Sequence, residues 1–177
     1  MTKISSRQIT RWPTLQRQVS ACALGLMLAL GVTQLSLAQA PAPVVVGQAL
    51  PALNLKDQHD KPWQIKPSTR LVMFAAGRKA SNLMQAVLQA LPKDQLTRKN
   101  AVYLADMSKM PGFITRTFAL PTLRDMPYLM GVSLDETTLA AWPRQTDAVT
   151  LIELDQKVVK GIRYVTTEAD LRAALER

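Results

Sequence analysis

The stretch LVMFAAGRKASNLMQAVLQAL, Leu71 to Leu91, changes periodicity partway along. Leu71 to Ala76 is an unbroken apolar run, the pattern of a strand buried on both faces. Beyond it, Leu83, Met84, Val87, Leu88 and Leu91 recur at helical spacing, which predicts an amphipathic helix over residues 80–91. Pro92 ends it, because it has no N–H to continue the ladder. A buried strand running straight into a helix is the first half of a βαβ unit.

Working outward, AVYLAD (101–106) reads as the next buried strand. A loop at MSKMPG and a short helix around Phe113 to Phe118 follow, and Pro121 and Pro127 then punctuate a loop before the strand YLMGVSLD. ETTLAAW is long enough for one or two helical turns before Pro143. AVTLIEL, the turn DQK and VVKGIRYV form a hairpin, and Thr167-x-x-Asp170 opens a last helix with Leu171 and Leu175 inward. On the other side, Ala52–Lys56 and Pro62–Ile65 read as two arms of a hairpin around the turn DQHDK. The order implies an α/β fold, a central mixed β-sheet flanked by helices on both faces with an N-terminal β-hairpin.

The first residues read as an address. Lys3, Arg7, Arg11 and Arg17 precede the apolar run VSACALGLMLALGV (19–32), and small residues follow at SLAQA. That is the order of a secretory signal, and the run is shorter than the roughly 20 residues of a membrane span. The expected organisation is a signal peptide over 1–38 cleaved after Ala38, a Pro/Ala-rich linker over 39–45 and one domain over 46–177. An uncleaved membrane anchor is the alternative. The implied location is the periplasm. The single cysteine, Cys22, lies inside the signal, so residues 39–177 hold no thiol nucleophile and can form no disulfide. The formal charge of +9 falls to about +5 without the four basic residues of the signal. Basic residues are not interleaved with aromatics, which argues against a nucleic-acid partner.

VGQALPALNLKDQHDKPWQI, then LVMFAA, then AVTLIELDQKVVKGIRYV with a helix behind it, together resemble the thioredoxin-like superfamily in its exported peroxiredoxin and thiol–disulfide oxidoreductase branch. The resemblance covers residues 46–176. It implies that the redox cysteines of active relatives would fall among Gly77, Arg78, Lys79, Ala80, Ser81 and Asn82, and that a cis-proline would fall within Ala148-Val149-Thr150. Neither is present. A serine hydroxyl at Ser81 is too weak an acid to replace a thiolate stabilised by a helix N-terminus. The resemblance thus points to a redox-inactive member.

What remains at that junction is cationic. Gly77, Arg78, Lys79 and Ser81, with Val149 opposite, are candidate contacts for a partner or small anion, held by charge, helix dipole and free N–H groups. The bland alternative makes Arg78 and Lys79 solvated residues and Ser81 an N-cap. His59, the only histidine, sits in a polar turn and lacks the convergent ligands a metal needs. Met107, Met110, Met126 and Met130 read as core fillers rather than copper ligands. Asp106 and Asp135 follow strands, where turn and cap roles are ordinary. No G-x-G-x-x-G, G-x-S-x-G or H-E-x-x-H occurs, and no cofactor is implied. The expectation is a periplasmic binding or adaptor domain. The alternative is an enzyme or carrier without cysteine chemistry, handling a small anion or metal.

Overall fold

The computed structural model describes residues 42–176, so the expected signal segment and the start of the linker lie outside the described residues. In chain order the elements are β1 (Leu55–Asp57), β2 (Pro62–Trp63), β3 (Leu71–Ala75), α1 (Arg78–Gln89), α2 (Gln95–Arg98) and β4 (Ala101–Asp106). Then come α3 (Gly112–Ile114), a π-helical turn over Thr115–Ala119, α4 (Leu120–Arg124), β5 (Met130–Ser133), β6 (Val149–Asp155), β7 (Val158–Val165) and α5 (Glu168–Glu176). The strands form one mixed sheet in the order β2-β1-β5-β4-β3-β6-β7.

β3 pairs parallel with β4, from Leu71–Ala101 to Ala75–Ala105, and antiparallel with β6, from Leu71–Glu153 to Ala75–Val149. Strand alternation sends Leu71, Met73 and Ala75 into one core and Val72 and Phe74 into the other. The first core is closed by α1 through Ala80, Met84, Val87 and Leu88, by α5 through Leu171 and Leu175, and by Leu96 of α2. Leu120 and Leu123 of α4 pack against the same side.

The second face is closed differently. Val72, Phe74, Leu104 and Ile152 meet Val44, Leu50, Trp63, Leu139 and Trp142, none of which lies on a helix. Where the sequence predicted helical turns, residues 136–142 make successive i→i+3 bonds, Ala140 N–H to Thr137 O (3.2 Å) and Trp142 N–H to Leu139 O (3.0 Å). The Asp135 carboxylate accepts from the Thr137 and Thr138 N–H groups at one end of this stretch, and Pro143 closes the other. The helical residues that enter a core (α1, α2, α4 and α5) do so in the first, and the turns at 136–142 cover the second. Phe74 and Trp142 fill the second core edge to face, ring centroids 5.4 Å apart.

Two expectations shift. Val44, assigned to the linker by its Pro/Ala neighbours, is buried in the second core, and Gly47, Gln48 and Leu50 bond to the backbone of Lys157 and Val159. Pro121, read as loop punctuation, lies inside a continuous helical stretch from Gly112 to Arg124. A proline in a helix removes one N–H and crowds the carbonyl four residues back. The π turn just before it widens the ladder: Leu120 N–H bonds to Thr115 O, five residues back.

Gly131 of β5 carries a prediction. A Cβ there would meet the Trp63 ring at 2.6 Å, and that ring is fixed in the second core. Gly131→Ala is expected to destabilise the domain by about 1–3 kcal/mol in urea unfolding, the cost of overpacking. In the Trp63→Leu background most of that cost should disappear.

Candidate functional site

The parallel strands β3, β4 and β5 all end at one edge of the sheet, at Ala75, Asp106 and Ser133. In open α/β sheets this is the edge where ligands bind. α1 starts there from Gly77, whose φ of 140° and ψ of 167° suit glycine and turn the chain sharply from strand into helix. The helix begins two residues before the predicted 80–91, so Arg78 and Lys79 occupy its first turn. That turn has no acidic residue and no side-chain cap. Cations at a helix N-terminus face the positive end of the dipole, an unfavourable arrangement without a counter-charge.

The counter-charge comes from far along the chain. Pairing of Ala75 with Val149 brings the turn before β6 alongside the start of α1. Asp147, in a left-handed conformation at φ 61°, meets Lys79 there with Nζ–Oδ2 at 2.7 Å. Its hydrogen bond, and then its charge, hold the Lys79 ammonium above the usual lysine range. Both side chains are largely exposed, so the pair orients the two loops more than it stabilises the fold. Arg78 is exposed and, among the described residues, makes no ion pair.

The structure thus brings Gly77, Arg78, Lys79 and Ser81 together around the first turn of α1, and it adds Asp147. Two readings need correction. Ser81 is no N-cap, since its N–H already donates to Gly77 O at 3.0 Å within the helix. Val149 is completely buried at the start of β6, so its side chain supports the edge from below and cannot touch a partner. The Ala148–Val149 peptide is trans.

Under Ser81 the environment is phenolic. Tyr103 and Tyr128 lie with ring centroids 6.4 Å apart, both buried, and burial pushes both hydroxyls above the ordinary tyrosine value. The Ser81 hydroxyl acts on Tyr103 in the opposite direction, more weakly. Two neutral phenols offer Ser81 no base at neutral pH, so the cluster cannot make it a nucleophile.

The other candidates are held in structural roles. Asp106 is nearly buried, pairs with Arg144 (Nη1–Oδ2 2.9 Å) and accepts from the Ser108 N–H and hydroxyl at 3.0 and 2.6 Å. Arg144 also donates to Leu139 O and lies over the Phe74 ring, 5.3 Å from its centroid. Asp135 is held below the usual carboxylate range by the Thr137 hydroxyl and N–H and the Thr138 N–H. His59 N–H donates to the Asp57 carboxylate in the hairpin turn. Met130 is fully buried, and Met107 and Met126 pack on the first core. Among the described residues no three His, Cys, Asp or Glu side chains converge as metal ligands would.

No family model and no curated protein matches this sequence. Solved structures do match. A protein described as a thioredoxin, from Neisseria meningitidis, is 14% identical over 75% of this chain and 89% of its own, at a TM-score of 0.51. The peroxidoxin BcpB from Mycobacterium tuberculosis is 15% identical over 74% of this chain and 94% of its own, also at 0.51. A protein described as a protein disulfide isomerase, from Bacteroides thetaiotaomicron, is 11% identical over 75% and 87%, at 0.50. Identities this low speak to architecture alone. The chain has the thioredoxin-like fold.

The buried phenol gives a pH prediction. Folded, Tyr103 keeps a proton that the unfolded chain releases near its ordinary pKa of about 10. Its contribution is complete below about pH 10 and is lost as pH rises toward the raised folded value. Tyr103→Phe should therefore flatten the fall in stability above about pH 10, followed by urea unfolding from about pH 8 to 11.

Proposed function

We propose that this chain is an exported protein that works by contact rather than by thiol chemistry, a periplasmic binding or adaptor domain. The start of α1 is its recognition surface. One observation carries the reading: at the strand-to-helix junction stands Gly77-Arg78-Lys79-Ala80-Ser81, an exposed cationic first turn, and residues 39–177 contain no cysteine. Without a sulfur nucleophile the junction cannot exchange disulfides or reduce peroxides. It can still present charge and backbone N–H groups to a carboxylate or other small anion on a partner. Arg78 is the principal contact. Lys79 is already committed to Asp147 and contributes only when that pair opens. The signal-like sequence of residues 1–38 supports export.

The purified protein is expected to show no insulin-disulfide or peroxide reduction above buffer, and thiol-dependent turnover would refute the reading. Chemical-shift titration with phosphate and dicarboxylates should perturb residues 77–82 in a salt-sensitive way. Arg78→Ala should weaken that binding several-fold with the melting temperature nearly unchanged. Asp147→Asn should strengthen it by releasing Lys79. Silence at residues 77–82, together with crosslinks to periplasmic proteins unaltered by Arg78→Ala, would leave those residues a purely structural role.

A further inference from the structure

The chain contains three phenylalanines, and only Phe74 is in a core. Phe113 and Phe118 are 73% and 61% exposed, and they pack on each other edge to face with centroids 6.3 Å apart. Ile114, beside Phe113, is also exposed. At 3.6 residues per turn, positions five apart on an α-helix point about 140° away from each other. The π turn at Thr115–Ala119 is what brings Phe118 round beside Phe113, while Thr115 faces inward. The turn ends at Ala119, two residues before Pro121, so the placing of the two aromatic positions on one side of the segment is a property of the backbone.

The charge around this ridge has one sign. Between Asp106 and Asp125 the sequence holds Lys109, Arg116 and Arg124 and no acidic residue. Arg124 pairs with Asp60, whereas Lys109 and Arg116 are exposed and, among the described residues, make no ion pair. A second copy is a poor occupant, because a symmetric contact would bring two copies of the same all-cationic patch together. A stable protein partner fits poorly too: the two rings offer roughly 250–300 Å² of apolar surface, against roughly 800 Å² per partner in a standard interface. A short convex ridge, aromatic with flanking cations, has the chemistry of shallow adsorption to an anionic bilayer, where lipid moulds to the ridge and headgroups meet the cations.

We propose that the Gly112–Arg124 segment is a membrane-surface contact, seating Phe113 and Phe118 among the headgroups of anionic lipid with Lys109 and Arg116 on the phosphates. The surface lies outside the α1 recognition turn and does not depend on residues 1–41.

Hydrogen–deuterium exchange on the full chain tests this locally, whatever residues 1–41 do. With phosphatidylglycerol vesicles, amides of residues 110–120 should exchange several-fold more slowly, while those of β3 stay unchanged as a fold control. Phosphatidylcholine vesicles should give no such protection, and about 0.5 M salt should weaken it. Phe113→Ser with Phe118→Ser should abolish it with the β3 amides still protected. Unchanged exchange at 110–120 on phosphatidylglycerol overturns the proposal, whether or not the chain is bound elsewhere. So does equal protection by phosphatidylcholine, or protection that rises with protein concentration without lipid, which would assign the ridge to a second copy.

Discussion

β3 has no face toward water. Val72, Met73, Phe74 and Ala75 are fully buried, with β4 on one side, β6 on the other and a core above and below. Hydrogen-bonded on both edges and packed on both faces, the strand can shift by one residue only by exchanging the two cores, so its register is tightly specified. The geometry of the candidate site follows from that register. Ala75 fixes where α1 departs, and its pairing with Val149 fixes where Asp147 arrives. Arg144 and Asp106 lock the same edge beside Phe74. A substitution that loosened β3 would move every group at this end together.

At the start of α1, placing two cations in the first helical turn works against the helix dipole. The fold answers with a carboxylate from across the sheet, which leaves one cation satisfied and the other facing solvent. This asymmetry gives Arg78 and Lys79 different roles despite their adjacency in sequence. Below them, the buried, neutral tyrosines support the half-buried Ser81 from underneath.

Much of this was legible in the sequence. The apolar run at Leu71–Ala76 and the helical spacing after it announce β3 and α1, because burial on both faces and on one face leave different periodicities. The terminal hairpin was equally clear. The site was legible only in part. Gly77, Arg78, Lys79 and Ser81 are neighbours in the chain, whereas Asp147 reaches Lys79 through strand pairing that no local pattern encodes. Val149 was placed correctly opposite the junction, but a residue starting a central strand points into the core. The covering of the second face was legible only in part. Val44 looks like linker, and the turns at 136–142 could be read from the sequence but not which sheet face Leu139 and Trp142 would cover. At Pro121, the ordinary rule that proline ends a helix gave way to a π turn that absorbs it.

The two rims of the sheet differ in how much strand edge they leave open. An uncovered strand edge is a template on which another chain can add. At one rim β2 is only two residues long and opens with Pro62, so it offers little to pair with. At the other, the backbone of Gly47, Gln48 and Leu50 occupies the start of β7 through bonds of 2.7–2.9 Å, and the rest of that strand carries Lys160 and Arg163. The few residues that join Val44 to β1 therefore act as a selvedge on the sheet. Loss of that border would uncover the β7 edge and open the second core at Val44 and Leu50 together, giving the chain a side on which another strand could add.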